Sequence, residues 1–274
     1  LTGDPAAQIV GFPLPGIANS GFYSPIGFNV NGSDLPPAGD APIVYMQDDA
    51  WAGVNADHLK IWKINVDWQN TGNSTISNPQ EIPTIPFDGV FDGGSFSNLP
   101  QGGGPDLDAL QATVMQLAQY RRFGAYNAVV FNFVVDLSGT DDYAGIRWYE
   151  LRQDNDGDDW YIYQEGTYVQ PEGHSAYCGS MAMDELGNIG MGYSVVSIIQ
   201  VPSIRYTGRM ASDELGQMTL EEGILEDGNN WDPSLRYGDY AQLNVDPAVD
   251  RKFWHTGEYF QGSRKNIVGA FKLA

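Results

Sequence analysis

The sequence predicts an all-β repeat fold, on three observations. Apolar and polar residues alternate with period two in several short runs, as half-buried antiparallel strands require. The connections between those runs are short and rich in Gly, Asp and Asn. The resulting hairpins recur at a fixed step, and periods of this size mark repeat architectures.

The elements follow in chain order. A first, degenerate unit spans Pro42 to Gln47 and Leu59 to Trp68, where Trp62-Lys63-Ile64-Asn65-Val66-Asp67-Trp68 alternates without a miss. Residues 70–104, dense in Gly, Pro, Ser and Asn, read as a long irregular insertion, and loops of that length are usually functional or mobile. In Asp106 to Gln119, Leu107, Leu110, Val114 and Leu117 sit at helical spacing behind an N-cap residue, predicting a short helix that runs into a strand. A second unit follows with Met115 to Tyr120, Asn127 to Val135, Gly145 to Leu151 and Trp160 to Tyr168.

The repeat is clearest after that. Ser180-Met181-Ala182-Met183-Asp184 aligns with Gln242-Leu243-Asn244-Val245-Asp246, a step of about 62 residues, and each is followed by a second strand, a turn and a third strand. Ile189, Met191, Tyr193 and Val195 alternate with Gly and Ser, and Ile267, Gly269, Phe271 and Leu273 alternate at the end of the chain. Units of this kind predict about four four-stranded antiparallel blades of a β-propeller or partial propeller. A β-sandwich is the runner-up. Residues 1–274 are read as one domain, and because four units lie at the low end of the propeller range, as the C-terminal blades of a larger propeller.

Composition narrows the function classes. With 35 Asp and Glu against 14 Lys and Arg, the formal net charge is -21. Such a surface repels phosphate backbones and anionic lipid, so nucleic acid is not an expected partner. No apolar run approaches the roughly 20 residues that span a bilayer, so membrane insertion is not expected either. Cys178 is the one cysteine, which rules out an intrachain disulfide and a thiolate metal cluster, and it reads as a small buried hydrophobe.

Several segments resemble a family. Ala144 to Arg152, Gly179 to Asp184, Pro202 to Arg209, Tyr237 to Tyr240 and Phe253 to Tyr259 are together similar to an uncharacterised set of large secreted bacterial proteins, propeller-like and often found in Bacteroidota beside type IX secretion sorting domains. The resemblance covers most of the chain. It implies a propeller, a secreted or cell-surface location and further blades upstream, and it names no activity. Where relatives have Arg-Trp-Met before the Gly-Ser pair, this chain has Ala176-Tyr177-Cys178.

In a propeller the loops entering the innermost strands gather at one end of the channel. On that basis Tyr120, Arg121, His174, Tyr177, Asp239, Tyr240, Glu258 and Tyr259 form the candidate binding face for a glycan or protein ligand. A two-carboxylate glycoside hydrolase would use Asp239 and Glu258. A sialidase-like site would instead need a tyrosine with an acid partner and arginines, of which Arg147, Arg205, Arg209 and Arg236 are candidates. No complete catalytic set assembles, so non-catalytic binding at the cell surface leads. The hydrolase and a structural role in an extracellular assembly are the alternatives. Asp154, Asp156 and Asp158 alternate as in a calcium loop but lack its closing Glu, which makes Ca2+ the one candidate cofactor. Asp141 and Asp142 form a second acidic turn. His58, His174 and His255 show no paired zinc spacing.

Overall fold

The computed structural model describes residues 9–19, 23–139 and 142–273, and these are all-β. The first unit holds β1 (Ile26–Asn31), β2 (Ala41–Gln47), β3 (His58–Asn65), β4 (Thr75–Ile76) and β5 (Gln80–Pro83). The second holds β6 (Ala118–Phe123), β7 (Tyr126–Asp136), β8 (Ala144–Gln153) and β9 (Tyr161–Tyr168). The third holds β10 (Ser175–Met183), β11 (Ile189–Val196), β12 (Ser203–Arg209) and β13 (Gly223–Glu226). The last holds β14 (Gln242–Val245), β15 (Phe253–Phe260) and β16 (Arg264–Phe271).

The first two units fuse into one curled sheet of order β4-β3-β2-β1-β6-β7-β8-β9, with β5 also on β3. The seam is parallel, Phe28 opposite Ala118 through Asn31 opposite Arg121, while the other pairs within the sheet are antiparallel. β10–β13 and β14–β16 form separate four- and three-stranded antiparallel sheets. We call the end at which β6, β10 and β14 begin the upper end, and the end at which β6 and β10 finish the lower end.

Four expectations change. The first unit begins one strand earlier than Pro42, because Ile26, Phe28 and Val30 alternate with Gly27, Asn29 and Asn31 to form β1 beside β6. β3 stops at Asn65 rather than Trp68: the Asp67 carboxylate accepts the backbone N–H groups of Gln69 and Asn70 (2.9 and 2.8 Å), which turns the chain and leaves Trp68 87% exposed. No helix forms over 106–119. Leu107 pairs with Leu99 in an isolated bridge, Asp108 caps the Leu110 N–H, and Leu110 and Val114 enter different core clusters, so their helical spacing is coincidental. Residues 70–104 are only partly irregular, since β4 and β5 lie within them and complete the edge of the first unit.

Packing follows from alternation. Along β7, Val129, Phe131, Phe133 and Val135 join Tyr45, Trp62, Tyr149 and Trp160 inside the curled sheet. The intervening Ala128 and Val130 join Trp148, Met181, Met183 and Met191, filling the layer between the second and third units. Ala182, Leu243, Phe253 and Phe271 fill the next layer. β7, β8 and β10 are thus covered on both faces. β11 meets β15 so closely that a Cβ on Gly192 would lie 2.4 Å from His255 Nδ1, which accounts for glycine there.

The turns after β10 and β14 use the same side-chain device. Asp184 Oδ1 accepts the N–H of Leu186 and Asn188 (2.8 and 2.9 Å), and Asp246 Oδ1 accepts those of Ala248 and Val249 (2.8 and 3.0 Å), each closing the turn after a first strand. Side chains also cap the neighbouring sheet: Met183 N–H donates to Gln119 Oε1, and Leu243 N–H donates to Ser180 Oγ.

Candidate functional site

At the upper end the connection 228–241 meets the insertion. Asp108 N–H donates to Leu235 O (2.9 Å), and Gln101 exchanges two hydrogen bonds with the Asp232 backbone. Two arginines stand among four carboxylates here. Arg236 donates to Asp239 (Nε to Oδ2, 2.9 Å) and lies 3.8 Å from Asp108 Oδ2; Arg264 lies 3.6 Å from Glu258 Oε2 and 3.7 Å from Asp232 Oδ2. Glu258 Oε2 also accepts the N–H of Gly238 (3.0 Å), the residue before Asp239. Arg236 thus holds Asp239 Oδ2, and Arg264 and the Gly238 N–H stand against Glu258 Oε2. Burial raises the Asp108 carboxyl above its ordinary range, with a backbone hydrogen bond and Arg236 opposing.

The remaining predicted residues scatter. Tyr177 is fully buried against Tyr237, with no partner for its hydroxyl. Cys178 beside it is buried as expected, and burial drives its thiol well above the ordinary value. Tyr240 is 86% exposed, Tyr259 is half-buried, and His174 sits in the β9–β10 connection, 3.5 Å from Glu172. Arg121 lies toward the lower end, where it donates to Met183 O (3.2 Å) and grips both Asp250 oxygens, clasping three units. The eight residues therefore divide between two ends, because position within a strand, not proximity to its start in the sequence, decides which end a side chain serves.

The tyrosine–acid–arginine set also exists, elsewhere. Tyr193 donates to Glu222, Tyr168 and Tyr193 share a 2.7 Å contact, and Arg205 Nε lies 3.4 Å from Glu222. Tyr193 is sealed in the core and burial holds its hydroxyl far above the ordinary range, so it is poised against ionising. Arg147 pairs with Glu165, and Arg209 donates to the Asp213 and Glu214 carbonyls.

The calcium candidates do not converge. Asp154 accepts from Tyr161, Asp156 from Arg122 and Asn127, and Asp158 from Asn155. Asp141 lies outside the described residues. Among those residues, Asp48, Asp49 and Asp57 do bring ligand atoms within 4.8 Å of one another. The Asp48 and Asp57 oxygens are occupied by the N–H groups of Ala50, Gly89, Asp49 and Phe87, and burial pushes the Asp48 carboxyl up to about 6.

A cleft of about 470 Å³ opens at the lower end, over the β1–β6 seam. Phe28 and Tyr120 stand edge-on to Trp160, with ring centroids 5.3 and 6.1 Å from it. Pro36 of the β1–β2 connection and Pro42 near the start of β2 also line the cleft, with Asp40 and Asp156 at the rim. Gln80 fixes Trp160 by two backbone hydrogen bonds (2.6 and 3.0 Å). Both Tyr120 and Trp160 are more than nine-tenths buried. Burial raises the Tyr120 hydroxyl to about 12, opposed by Arg122 and reinforced by Asp156 and Asp34. Tyr120 was legible as a candidate; Phe28 and Trp160 were not, although the alternation around Phe28 carried the signal.

No family model matches this chain, and no curated protein matches it. Among solved structures, a hypothetical protein from Leishmania major is similar over 92% of this chain and 68% of its own, at 13% identity and a TM-score of 0.32, too low to carry an inference. No helix among the described residues is long and apolar enough to cross a membrane.

Proposed function

We propose that this chain is a non-catalytic, propeller-type module acting outside the cell, and that it binds a glycan or a protein segment in the Phe28–Tyr120–Trp160 cleft. The cleft carries the proposal: an apolar, aromatic concavity with a few polar residues in its lining is the usual form of a small binding site. The propeller arrangement is supported by units that pack face to face in chain order and by the shared turns at Asp184 and Asp246. The extracellular location rests on the family resemblance and the strongly acidic composition. Arg236 holds Asp239 Oδ2 and the Gly238 N–H holds Glu258 Oε2, which supports binding over hydrolysis.

The test is a binding screen of extracellular glycans and proteins against the wild-type chain and Ala38→Trp. Ala38 is an exposed residue of the cleft wall, so the indole fills the space without entering the core. A partner retained by wild type and lost by Ala38→Trp supports the proposal. A partner bound equally by both, or turnover of a glycoside, refutes it.

A further inference from the structure

We infer that the open edge of β16, apart from the cleft, is a docking site for an extended, acidic segment of a partner protein, which adds to the last sheet as its fourth strand. The third unit shows what fills that place. Its third strand, β12, carries β13 antiparallel along its outer edge, with Arg205 opposite Ile224 and Tyr206 opposite Gly223. The segment that contains β13 is acidic, Glu221-Glu222-Gly223-Ile224-Leu225-Glu226-Asp227, and a basic residue of β12 holds it: Arg205 lies 3.4 Å from Glu222 and 2.7 Å from Asp227. In the last unit β16 stands third, after β14 and β15, and no described strand lies beyond it.

The backbone of β16 is open to such a strand. It pairs with β15 along its whole length, from Phe253 opposite Phe271 to Phe260 opposite Arg264, and its other edge has no described strand partner. Other long edges are covered. Beside β9, Trp160 exchanges two hydrogen bonds with Gln80 and Glu165 accepts the Ile85 N–H (3.2 Å), and β10 is buried throughout. β16 is exposed over most of its length, with Val268 68% exposed. Charge names the partner. Past Glu258 the chain holds no acid, whereas Arg264, Lys265 and Lys272 fall in or beside β16, on a chain of net charge -21. Lys265 and Lys272 are exposed and enter no ion pair or hydrogen bond among the described residues. A second β16 fits poorly, because antiparallel pairing about Val268 sets Arg264 opposite Lys272, and like charges directly opposite destabilise a pair. An acidic strand meets cations at both ends.

The experiment titrates the full chain with a fluorescent peptide of the sequence Glu221 to Asp227 and with two controls: the same peptide with every acid replaced by Lys, and one of unchanged charge with proline in place of Ile224 and Leu225. Each is repeated on the double variant Lys265→Glu/Lys272→Glu, with thermal melts confirming that it folds and sedimentation recording the oligomeric state of both chains. The expected result is binding of the acidic peptide alone, about tenfold weaker in the double variant, with slowed hydrogen exchange of the β16 amides. Equal binding of the proline peptide would reduce the contact to charge attraction and overturn strand addition. Binding that the double variant does not weaken, or no binding of any peptide up to millimolar concentration, overturns the site. Self-association of the wild-type chain that the double variant abolishes would make a second copy the occupant and overturn the partner assignment.

Discussion

The two ends of the molecule use similar residues to opposite effect. At the upper end, four carboxylates, two arginines and two tyrosines gather where the insertion crosses to the 228–241 connection, yet Asp239 and Glu258 are already bound within the protein and Tyr177 is sealed. At the lower end, three aromatic rings line an open cleft, with Lys63, Asp40 and Asp156 also in its lining. A collection of chemically capable side chains is therefore not by itself a site. What distinguishes the lower end is a concavity that a ligand can reach.

This contrast can be broken by mutation, since upper-end changes should alter stability and lower-end changes should alter binding. The largest effect is expected from Tyr177→Ala, which empties a fully buried position beside Tyr237 and should cost about 3–5 kcal/mol in chemical denaturation. Tyr177→Phe removes only a hydroxyl without a partner, so it should be neutral or mildly stabilising. A large loss in Tyr177→Phe would mean that the hydroxyl serves a ligand, and would move the site to the upper end.

Arg121→Ala should cost about 3 kcal/mol, because it strands Asp250 and opens the Met183 carbonyl. Cleft binding should persist in that variant whenever it is folded, as measured by the same titration used for wild type. Loss of binding in a well-folded Arg121→Ala would give that arginine the ligand role its sequence position implied.

Acid should loosen the sheet interfaces before it touches the cleft. Burial lowers the His255 imidazole from 6.5 to about 4. The folded state thus binds fewer protons than the unfolded state, and His255 contributes stability that is complete above pH 6.5 and lost as the pH falls toward 4, of order 3 kcal/mol in all. Urea midpoints across that window should fall for wild type and stay flatter for His255→Leu. A parallel slope in both would remove His255 as the cause. The smallest effect is expected at the Arg236–Asp239 pair: Asp239→Asn should shift stability by less than about 1 kcal/mol, because the Arg236 side chain is 54% exposed.

Much of the architecture was legible in the sequence, because alternation and turn chemistry are local. The strands around Met181, Met191 and Phe271 and the turns at Asp184 and Asp246 needed no tertiary information. What misled was local pattern overruled by long-range contacts. Leu107, Leu110 and Val114 mimic a helix because each is buried in a loop that crosses the core, and Trp68 continues an alternation that Asp67 ends. The site was less legible still. Tyr120 and Trp160 lie 40 positions apart, and Phe28 reaches them only through a parallel β1–β6 pairing that no hairpin signal announces. Conversely, Asp239 and Glu258 looked available because the residues that occupy them, Arg236, Arg264 and the Gly238 N–H, show their role only once the chain is folded.

The most direct measurement is a calorimetric titration of one cleft ligand against two variants, Ala38→Trp at the lower end and Glu258→Gln at the upper. Binding abolished in Ala38→Trp and unchanged in Glu258→Gln is the predicted result. Binding abolished in Glu258→Gln and retained in Ala38→Trp would place the functional site at the other end of the molecule.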